Sequence, residues 1–163
     1  FPDQERCIYR NEDNRRLEAE DSTYESRFHL RHESEASLLG VVYDPRGIMT
    51  AAPYKVIDAK HWVFAGTGLK QGDIFGRESQ HERVPGGASG HETDKRSPSS
   101  PKNVQFLAQG LNPDEGGAEM VYHEPPGGGS VFSTGSINWV SSLLVDDAVS
   151  KITANVVRRS LET

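Results

Sequence analysis

Three side chains that bind metal ions in many proteins fall within four residues, His91, Glu92 and Asp94. Imidazole nitrogens and carboxylate oxygens are both ligands of divalent cations. The segment does not follow the zinc-protease pattern, which requires a second histidine four residues after the first, because Lys95 occupies that position. Two interpretations remain open, an oxygen-rich mononuclear metal site or a solvated polar loop.

The same loop contains a serine in a glycine-rich setting, since residues 87–91 read Gly-Ala-Ser-Gly-His. Serine hydrolases that present their nucleophile on a sharp turn need glycine two residues after the serine, and His91 stands there instead. Residues 66–70 read Gly-Thr-Gly-Leu-Lys and lack both the Gly-Lys-Ser/Thr of a phosphate loop and the third glycine of a dinucleotide-binding turn. We therefore expect neither chemistry, and the sequence assigns no catalytic residue.

Asn138 and Trp139 are the candidate substrate-binding residues. Trp139 stands between a predicted strand and a predicted helix, where it either packs at the corner or faces a substrate. His29 and His32 are expected to be surface histidines. Cys7 is the only cysteine, which excludes an intrachain disulfide and favours a reducing, cytoplasmic compartment. Its thiol is either inert or reactive, and nothing around it indicates a lowered pKa.

The elements that must position these residues are clearest after residue 103. Apolar, β-forming runs predict strands at 104–108, 118–124 and 130–135. The Pro-Pro-Gly-Gly-Gly turn at 125–129 is too short for anything but an antiparallel connection of the last two strands. The last two of these strands are therefore expected to form a closing β-hairpin.

A helix is predicted at 146–161, with Asp146 or Asp147 at its N-terminus. An apolar stripe repeats with helical spacing along its length and is expected to pack on the core. The stripe consists of Val145, Val149, Ile152 and Val156, widened by Val157 and Leu161.

The first hundred residues are less regular. Residues 38–43 predict a buried strand that enters a turn at 44–47. Residues 77–103 form a long polar segment, typical of a functional or a disordered loop. Residues 1–37 contain six arginines, no lysine and ten acidic residues, and they are interpreted as a charged N-terminal arm. The domain proper is expected at 38–163.

The length, net charge and distribution of apolar residues limit the classes of function that the sequence allows. With 163 residues, one domain is expected. A net charge of -6 without a basic stripe makes nucleic acid an unexpected partner. No apolar run is long enough for a membrane span, and the N-terminus has no signal-peptide pattern, so a soluble protein is predicted. The missing initiator methionine indicates a processed, trimmed or excised chain.

Several strings occur in an order that closely resembles the C-terminal part of the N,N-dimethylformamidase large-subunit (beta-subunit-like) family. The resemblance covers about residues 38–161, and the strings that carry it are 62–69, 87–94, 117–122, 128–139 and 149–159. It implies an α/β fold, the C-terminal half of a glutamine-amidotransferase-like domain, with a mixed sheet, a closing β-hairpin and a C-terminal helix. It also implies a link to hydrolysis of a small amide C–N bond.

The resemblance further implies a mononuclear iron, held in the family enzyme by tyrosines and by a glutamate within a His-x-Glu-Tyr-Trp stretch. That stretch does not occur in this sequence, where Ser34 follows Glu33 and Thr93 follows Glu92. No cofactor is therefore expected in this chain itself. Two hypotheses remain: a C-terminal portion or subunit of an amidohydrolase completed by a protein partner or a missing N-terminal part, and a non-catalytic structural or interaction chain.

Overall fold

A computed structural model describes residues 34–162 of the chain, and all structural statements refer to this part. The charged arm, Cys7, His29 and His32 lie outside the described residues, apart from the last residues of the arm. The predicted domain boundary at 37/38 falls within the first helix and stays a prediction. The elements are α1 Ala36–Leu39, β1 Val42–Asp44, β2 Ala51–Ala52, β3 Tyr54–Val56, β4 Ile74–Phe75, β5 Ser89–Gly90, β6 Thr93–Lys95, β7 Gln105–Gly110, β8 Glu119–His123, β9 Val131–Ser133, α2 Asn138–Ser142 and α3 Asp147–Glu162, with 3₁₀ turns at Pro45–Gly47 and Trp62–Phe64.

Within residues 34–162 the strands form three antiparallel sheets. A five-stranded sheet has the order β4-β3-β7-β8-β9, and β1-β6 and β2-β5 form two-stranded sheets. The expected mixture of helices and strands is confirmed. The expected mixed sheet is wrong for residues 34–162, because every strand pair there is antiparallel. Short connections explain this for β7-β8 and β8-β9, since a parallel pair needs a crossover of a dozen or more residues.

The closing hairpin is confirmed. Strand β8 pairs with β9 in the register Val121 to Ser133, and β7 pairs with β8 across a bulge near Phe106. The turn before β9 contains Gly128 and Gly129 at φ angles of 93° and 79°, which residues with a Cβ rarely adopt. The turn chemistry in the sequence therefore placed the hairpin correctly.

The C-terminal helix is also confirmed. The Asp146 carboxylate accepts hydrogen bonds from the backbone N–H groups of Ala148 and Val149, both at 3.1 Å, and so caps α3. Val149 and Ile152 are fully buried. Asn155 fastens the next turn of α3 to the rest of the domain by donating to the carbonyls of Val63 and Ala65.

The predicted widening of the apolar stripe is wrong. Val157 and Leu161 are 53% and 81% exposed, and Val145 is 37% exposed. Val156 is half-buried against the core, so the helix packs on the core as far as this residue, and beyond it the apolar side chains of α3 face solvent.

The predicted strand at 38–43 is wrong in its first half. Leu38 and Leu39 belong to α1, which ends where Gly40 adopts a φ of 81°. The backbone N–H of Gly40 donates to the Ala36 carbonyl and closes this single turn. Only Val42–Asp44 is extended. The turn at 44–47 is confirmed, because the Asp44 carboxylate caps the 3₁₀ turn that follows.

The core lies between the five-stranded sheet and α3. An aromatic group occupies its centre, where the Tyr54 ring stacks on Phe75 at 5.6 Å and meets the edge of Trp139 at 5.7 Å. Leu107 and Met120 from the two central strands are fully buried in the same cluster. The sheet and the helix are thus joined by one continuous apolar contact.

The long polar segment at 77–103 is partly built into the structure. It supplies β5 and β6, and Ala88, Ser89 and Thr93 are fully buried. The chain approaches β2 so closely here that a Cβ on Gly90 would stand 2.0 Å from the Thr50 carbonyl oxygen. We call this contact between residues 87–90 and residues 50–53 the glycine seam.

We expect Gly90→Ala to reduce the free energy of unfolding by about 2–3 kcal/mol, because the added Cβ meets backbone and the φ of 152° disfavours alanine. Urea denaturation measures the change. Gly127→Ala is the matched control, since a Cβ there meets nothing within 4 Å, and it should stay within about 0.5 kcal/mol of the parent. Equal effects of the two substitutions would contradict the seam.

Candidate functional site

A cleft of about 300 Å³ opens beside β6 and the end of β9. Two carboxylates, three hydroxyl groups and an apolar rim form its walls. We call it the acidic cleft and define it by its lining residues, Leu39, Val41, Glu92, Asp94, Ser133, Thr134, Gly135, Ser136 and Ile137.

Strand β6 aims Asp94 into the cleft. Side chains alternate between the two faces of a strand, so Thr93 and Lys95 point away from Asp94. Thr93 is buried on the opposite side, where its hydroxyl donates to the Gly116 carbonyl at 2.7 Å. The backbone N–H of Asp94 donates to the Gly135 carbonyl at 2.8 Å, which joins β6 to the wall contributed by the residues after β9.

The cleft is negatively charged. Burial raises the pKa of the Asp94 carboxyl, and the negative charges of Glu92 and Glu35 raise it further. The cations next to Asp94 in sequence bind other carboxylates. Lys95 lies 3.8 Å from Asp44, and Arg96 lies 2.6 Å from Glu119.

His91 does not join the two carboxylates on the cleft wall. Its ring packs edge-on against His81, with ring centroids 4.7 Å apart. The residue has a φ of 63°, and its backbone N–H and carbonyl bond to Thr50 and Met49. Within residues 34–162 no three His, Cys, Asp or Glu side chains are placed to hold one ion. A metal-binding role for His91, Glu92 and Asp94 stays a prediction.

Asn138 and Trp139 are both buried, at 0% and 5% exposure. The Asn138 amide donates to the carbonyls of Val84 and Gly87, at 2.9 and 3.2 Å, and so holds the polar segment. The Trp139 ring nitrogen donates to the Thr153 hydroxyl on α3 at 3.1 Å. Neither side chain lines the acidic cleft. The structure thus gives both residues contacts within the protein, and their substrate-binding role stays a prediction.

Ser89 is likewise occupied inside the protein. Its fully buried hydroxyl donates to the Asn112 side-chain oxygen at 2.6 Å and accepts from the backbone N–H of Ala118 at 3.1 Å. No histidine is among these partners. A serine nucleophile needs a base within hydrogen-bond distance. The contacts of Ser89 therefore agree with the sequence, in which His91 stands where a serine hydrolase needs glycine.

Two of the three tyrosines within residues 34–162, Tyr54 and Tyr122, do not fit the iron site that the family resemblance implies. A tyrosinate ligand must lose its proton, yet the Tyr54 hydroxyl donates to the Thr134 carbonyl and the Tyr122 hydroxyl donates to Glu124. Burial raises the pKa of both phenols. The chemistry of this donor set therefore opposes iron binding by these residues.

The acidic cleft can bind a cationic or hydrogen-bond-donating group through its carboxylates and hydroxyls, while its rim contacts an apolar stem. Sequence reasoning selected Glu92 and Asp94 but missed the rim and the hydroxyls. The Ser-Thr-Gly-Ser run at 133–136, at the end of the strand predicted at 130–135, was the available signal. Leu39 and Ile137 join the cleft only through contacts between distant parts of the chain.

These observations define an α/β domain with antiparallel sheets, a C-terminal helix and an acidic cleft. A family model described as N,N-dimethylformamidase beta subunit-like, C-terminal, matches residues 2–153. The chain therefore belongs to the N,N-dimethylformamidase beta subunit-like C-terminal family, which confirms the resemblance drawn from the sequence. A comparison with curated proteins found no match. No helix within residues 34–162 has the length and apolar character needed to cross a membrane.

We expect Asn138→Ala to lower the free energy of unfolding by about 2–4 kcal/mol, because two carbonyls in a buried setting lose their donor. Asn103→Ala is the control: this exposed amide makes one bond, to the Glu124 carbonyl at 2.8 Å, and its loss should cost less than about 1 kcal/mol. Chemical denaturation compares the two variants. A near-neutral Asn138→Ala would show that the buried amide does not hold the polar segment.

The Asp44 carboxylate gives a pH-dependent test of the ion pairs behind β6. Hydrogen bonds from the Arg46 guanidinium hold the pKa of Asp44 below its ordinary value of 3.8, although burial opposes the shift. Because the pKa is lowered on folding, the stabilisation exists above pH 3.8 and disappears as the pH falls through the folded-state pKa.

Asp44→Asn should therefore cost about 1–2 kcal/mol at pH 7 and progressively less in acid. Urea unfolding at pH 7 and at about pH 3, close to the ordinary carboxyl pKa, measures this difference. The exposed Asp114→Asn serves as the control with little change at either pH. A pH-independent cost of Asp44→Asn would contradict the ion-pair origin.

Proposed function

We propose that this chain forms the C-terminal portion or subunit of an N,N-dimethylformamidase-like amidohydrolase, which hydrolyses a small amide C–N bond. The catalytic metal centre lies on residues outside this chain, supplied by a preceding part of the same protein or by a partner chain. The complete domain has a glutamine-amidotransferase-like fold and works in the cytoplasm.

The family match over residues 2–153 carries this proposal. The donor chemistry of the described residues supports the location of the metal centre, because Tyr54 and Tyr122 both use their hydroxyl protons in internal hydrogen bonds. Asn138, Trp139 and Ser89 are buried in contacts that hold the fold. The described part of the chain thus supplies a rigid wall and a charged cleft rather than a complete set of reacting groups.

A non-catalytic structural or protein-interaction chain is the second candidate. Exposed apolar side chains favour it, since Val140 and Leu144 are 70% and 89% exposed. Apolar groups clustered at a surface mark sites of protein contact. This candidate predicts binding to another polypeptide without any turnover.

Iron content and amide hydrolysis separate the two candidates. The purified chain and the native assembly that contains it are compared for iron per protomer and for release of dimethylamine from N,N-dimethylformamide. We expect both signals in the assembly and neither in the isolated chain. An assembly with no turnover of small amides would favour the non-catalytic chain.

Stoichiometric iron together with turnover in the isolated chain would contradict the proposed location of the metal centre. In that case a variant combining His91→Ala, Glu92→Gln and Asp94→Asn decides where the ion binds. Loss of iron from the folded variant would assign it to these three residues, and retention would exclude them.

A further inference from the structure

Helix α2 and the residues that flank it turn apolar side chains outward. Ile137, Val140 and Leu144 are 46%, 70% and 89% exposed, and their spacing of three and four residues places them on one helical face. The backbone N–H of Leu143 donates to the Val140 carbonyl, so the helical path continues past the end of α2. The three side chains form a row about 10 Å long, since a helix rises 1.5 Å per residue. We call this row the apolar ridge.

The opposite face of α2 is buried although it carries polar side chains. Asn138 and Ser142 are both 0% exposed and share this face with Trp139, whereas a helix at the surface of an isolated domain normally buries apolar residues and exposes polar ones. The Asn138 amide donates to the carbonyls of Val84 and Gly87, which fixes the face that looks outward. The apolar ridge is therefore a preformed contact surface that cannot turn inward.

The ridge meets the rim of the acidic cleft. Ile137 belongs to both, and Leu39 lines the cleft as well and is 44% exposed. The Leu39 carbonyl accepts a hydrogen bond from the Ser133 hydroxyl at 2.6 Å, so this part of the rim is also fixed. Apolar groups clustered at a surface mark sites of protein contact. The ridge and the rim thus form one apolar surface beside two carboxylates.

The charge of the cleft determines which partner fits this surface. Among residues 34–162, none of those lining the cleft is basic, while Glu92 and Asp94 both belong to the lining. Lys95 and Arg96 follow Asp94 in sequence but lie in ion pairs with other carboxylates. A carboxylate that is partly removed from water is stabilised by a nearby cation. A partner that carries lysine or arginine next to its apolar side chains therefore matches the surface.

The same charges disfavour two other occupants. In a symmetric pair of copies each surface meets an identical surface, so a second copy would bring an equally acidic cleft and a net charge of -6. Like charges placed opposite one another oppose association. The anionic headgroups of a membrane surface attract basic protein segments, and this face has the opposite charge.

We propose that the apolar ridge and the acidic cleft together bind a different polypeptide chain, through a segment that packs apolar side chains on the ridge and directs lysine or arginine toward Glu92 and Asp94. The apolar contact supplies the centre of the interface, and the charges determine the partner and its orientation. This inference rests on the proposed function only for the existence of a partner chain, and it applies equally to the amidohydrolase and to the non-catalytic chain.

Two charged substitutions at one exposed position test the chemistry of the partner. The native assembly is isolated through a tag on this chain, and native mass spectrometry measures the partner retained per copy. We expect Val140→Lys to lower retention about tenfold, because it removes apolar contact and also repels a basic segment. Val140→Glu removes the same contact but attracts that segment, so it should lower retention by only about threefold. Equal losses in the two variants would contradict a basic partner.

Leu161→Lys and Leu161→Glu are the matched controls for these variants. Leu161 is 81% exposed, but it lies near the end of α3, about 21 Å along the helix from Asp147. Neither substitution should change the retention of the partner. Losses equal to those of the Val140 variants would place the contact elsewhere and overturn the proposal.

The carboxylates of the cleft are tested separately. Glu92→Gln combined with Asp94→Asn should lower retention about fivefold, because the cations of the partner lose their counter-charges. Glu92→Gln alone, at an exposed position, gives a smaller loss in the same direction and guards against misfolding of the double variant. Asp114→Asn with Glu162→Gln removes the same charge from exposed positions and should have no effect. Unchanged retention in both cleft variants would exclude the cleft from the interface.

A photo-cross-linker on the ridge identifies the occupant. Cys7→Ser removes the single native thiol, and Leu144→Cys accepts a benzophenone maleimide. We expect the cross-linked peptide to come from a different chain and to contain apolar residues together with lysine or arginine. A cross-link to a second copy or to another part of the same polypeptide would overturn the proposal, as would an assembly without any other chain. Iron content and amide turnover do not enter these readouts, so failure of the proposed catalysis is distinguishable from failure of this interface.

Discussion

The buried hydroxyl of Ser89 is the contact on which the rest of the structure depends. It bonds at once to Asn112 and to the backbone of Ala118, and so fixes the polar segment against the connection between β7 and β8. The hydroxyl fits here only because residue 110 is a glycine, since a Cβ on Gly110 would stand 2.1 Å from the Ser89 Oγ and 2.6 Å from the Ala118 nitrogen. A buried polar group without a partner costs about 1–3 kcal/mol. The hydroxyl and the glycine therefore have to be present together.

The placement of the cleft follows from this contact. Residues 87–90 lead directly into β6, whose alternation sends Thr93 and Lys95 to the structural side and Asp94 to the cleft. The residues after β9 complete the arrangement, because the Ser136 hydroxyl accepts from the backbone N–H of Gly90 at 2.7 Å. Asn138 secures the start of the same segment. The serine and asparagine side chains of this region thus serve mainly to fix the backbone that carries the two carboxylates of the acidic cleft.

The sequence was informative where structure is local. A proline and glycine turn and a 3.6-residue period determine the hairpin and α3, and both were predicted. The strand expected at Leu38 and Leu39 was wrong, since a single glycine at position 40 closes a helical turn that outweighs β propensity. The seam joins residues about 40 positions apart by backbone contact, which leaves no periodic signal. For the same reason the sequence predicted that Glu92 and Asp94 lie close together, but it did not predict that the His91 side chain lies apart from them.

The two faces of strand β6 have different roles, because one face stabilises the fold and the other lines the acidic cleft. Its inner side chains are neutralised, because Lys95 faces Asp44 and the Thr93 hydroxyl is satisfied by a carbonyl. Asp94 receives no such compensation from the strand's own neighbours, and burial raises the pKa of its carboxyl. A cation that approaches from the cleft side gains from this imbalance, whereas an anion is repelled. The electrostatics of the described residues therefore select the sign of the charge that this face of the domain accepts.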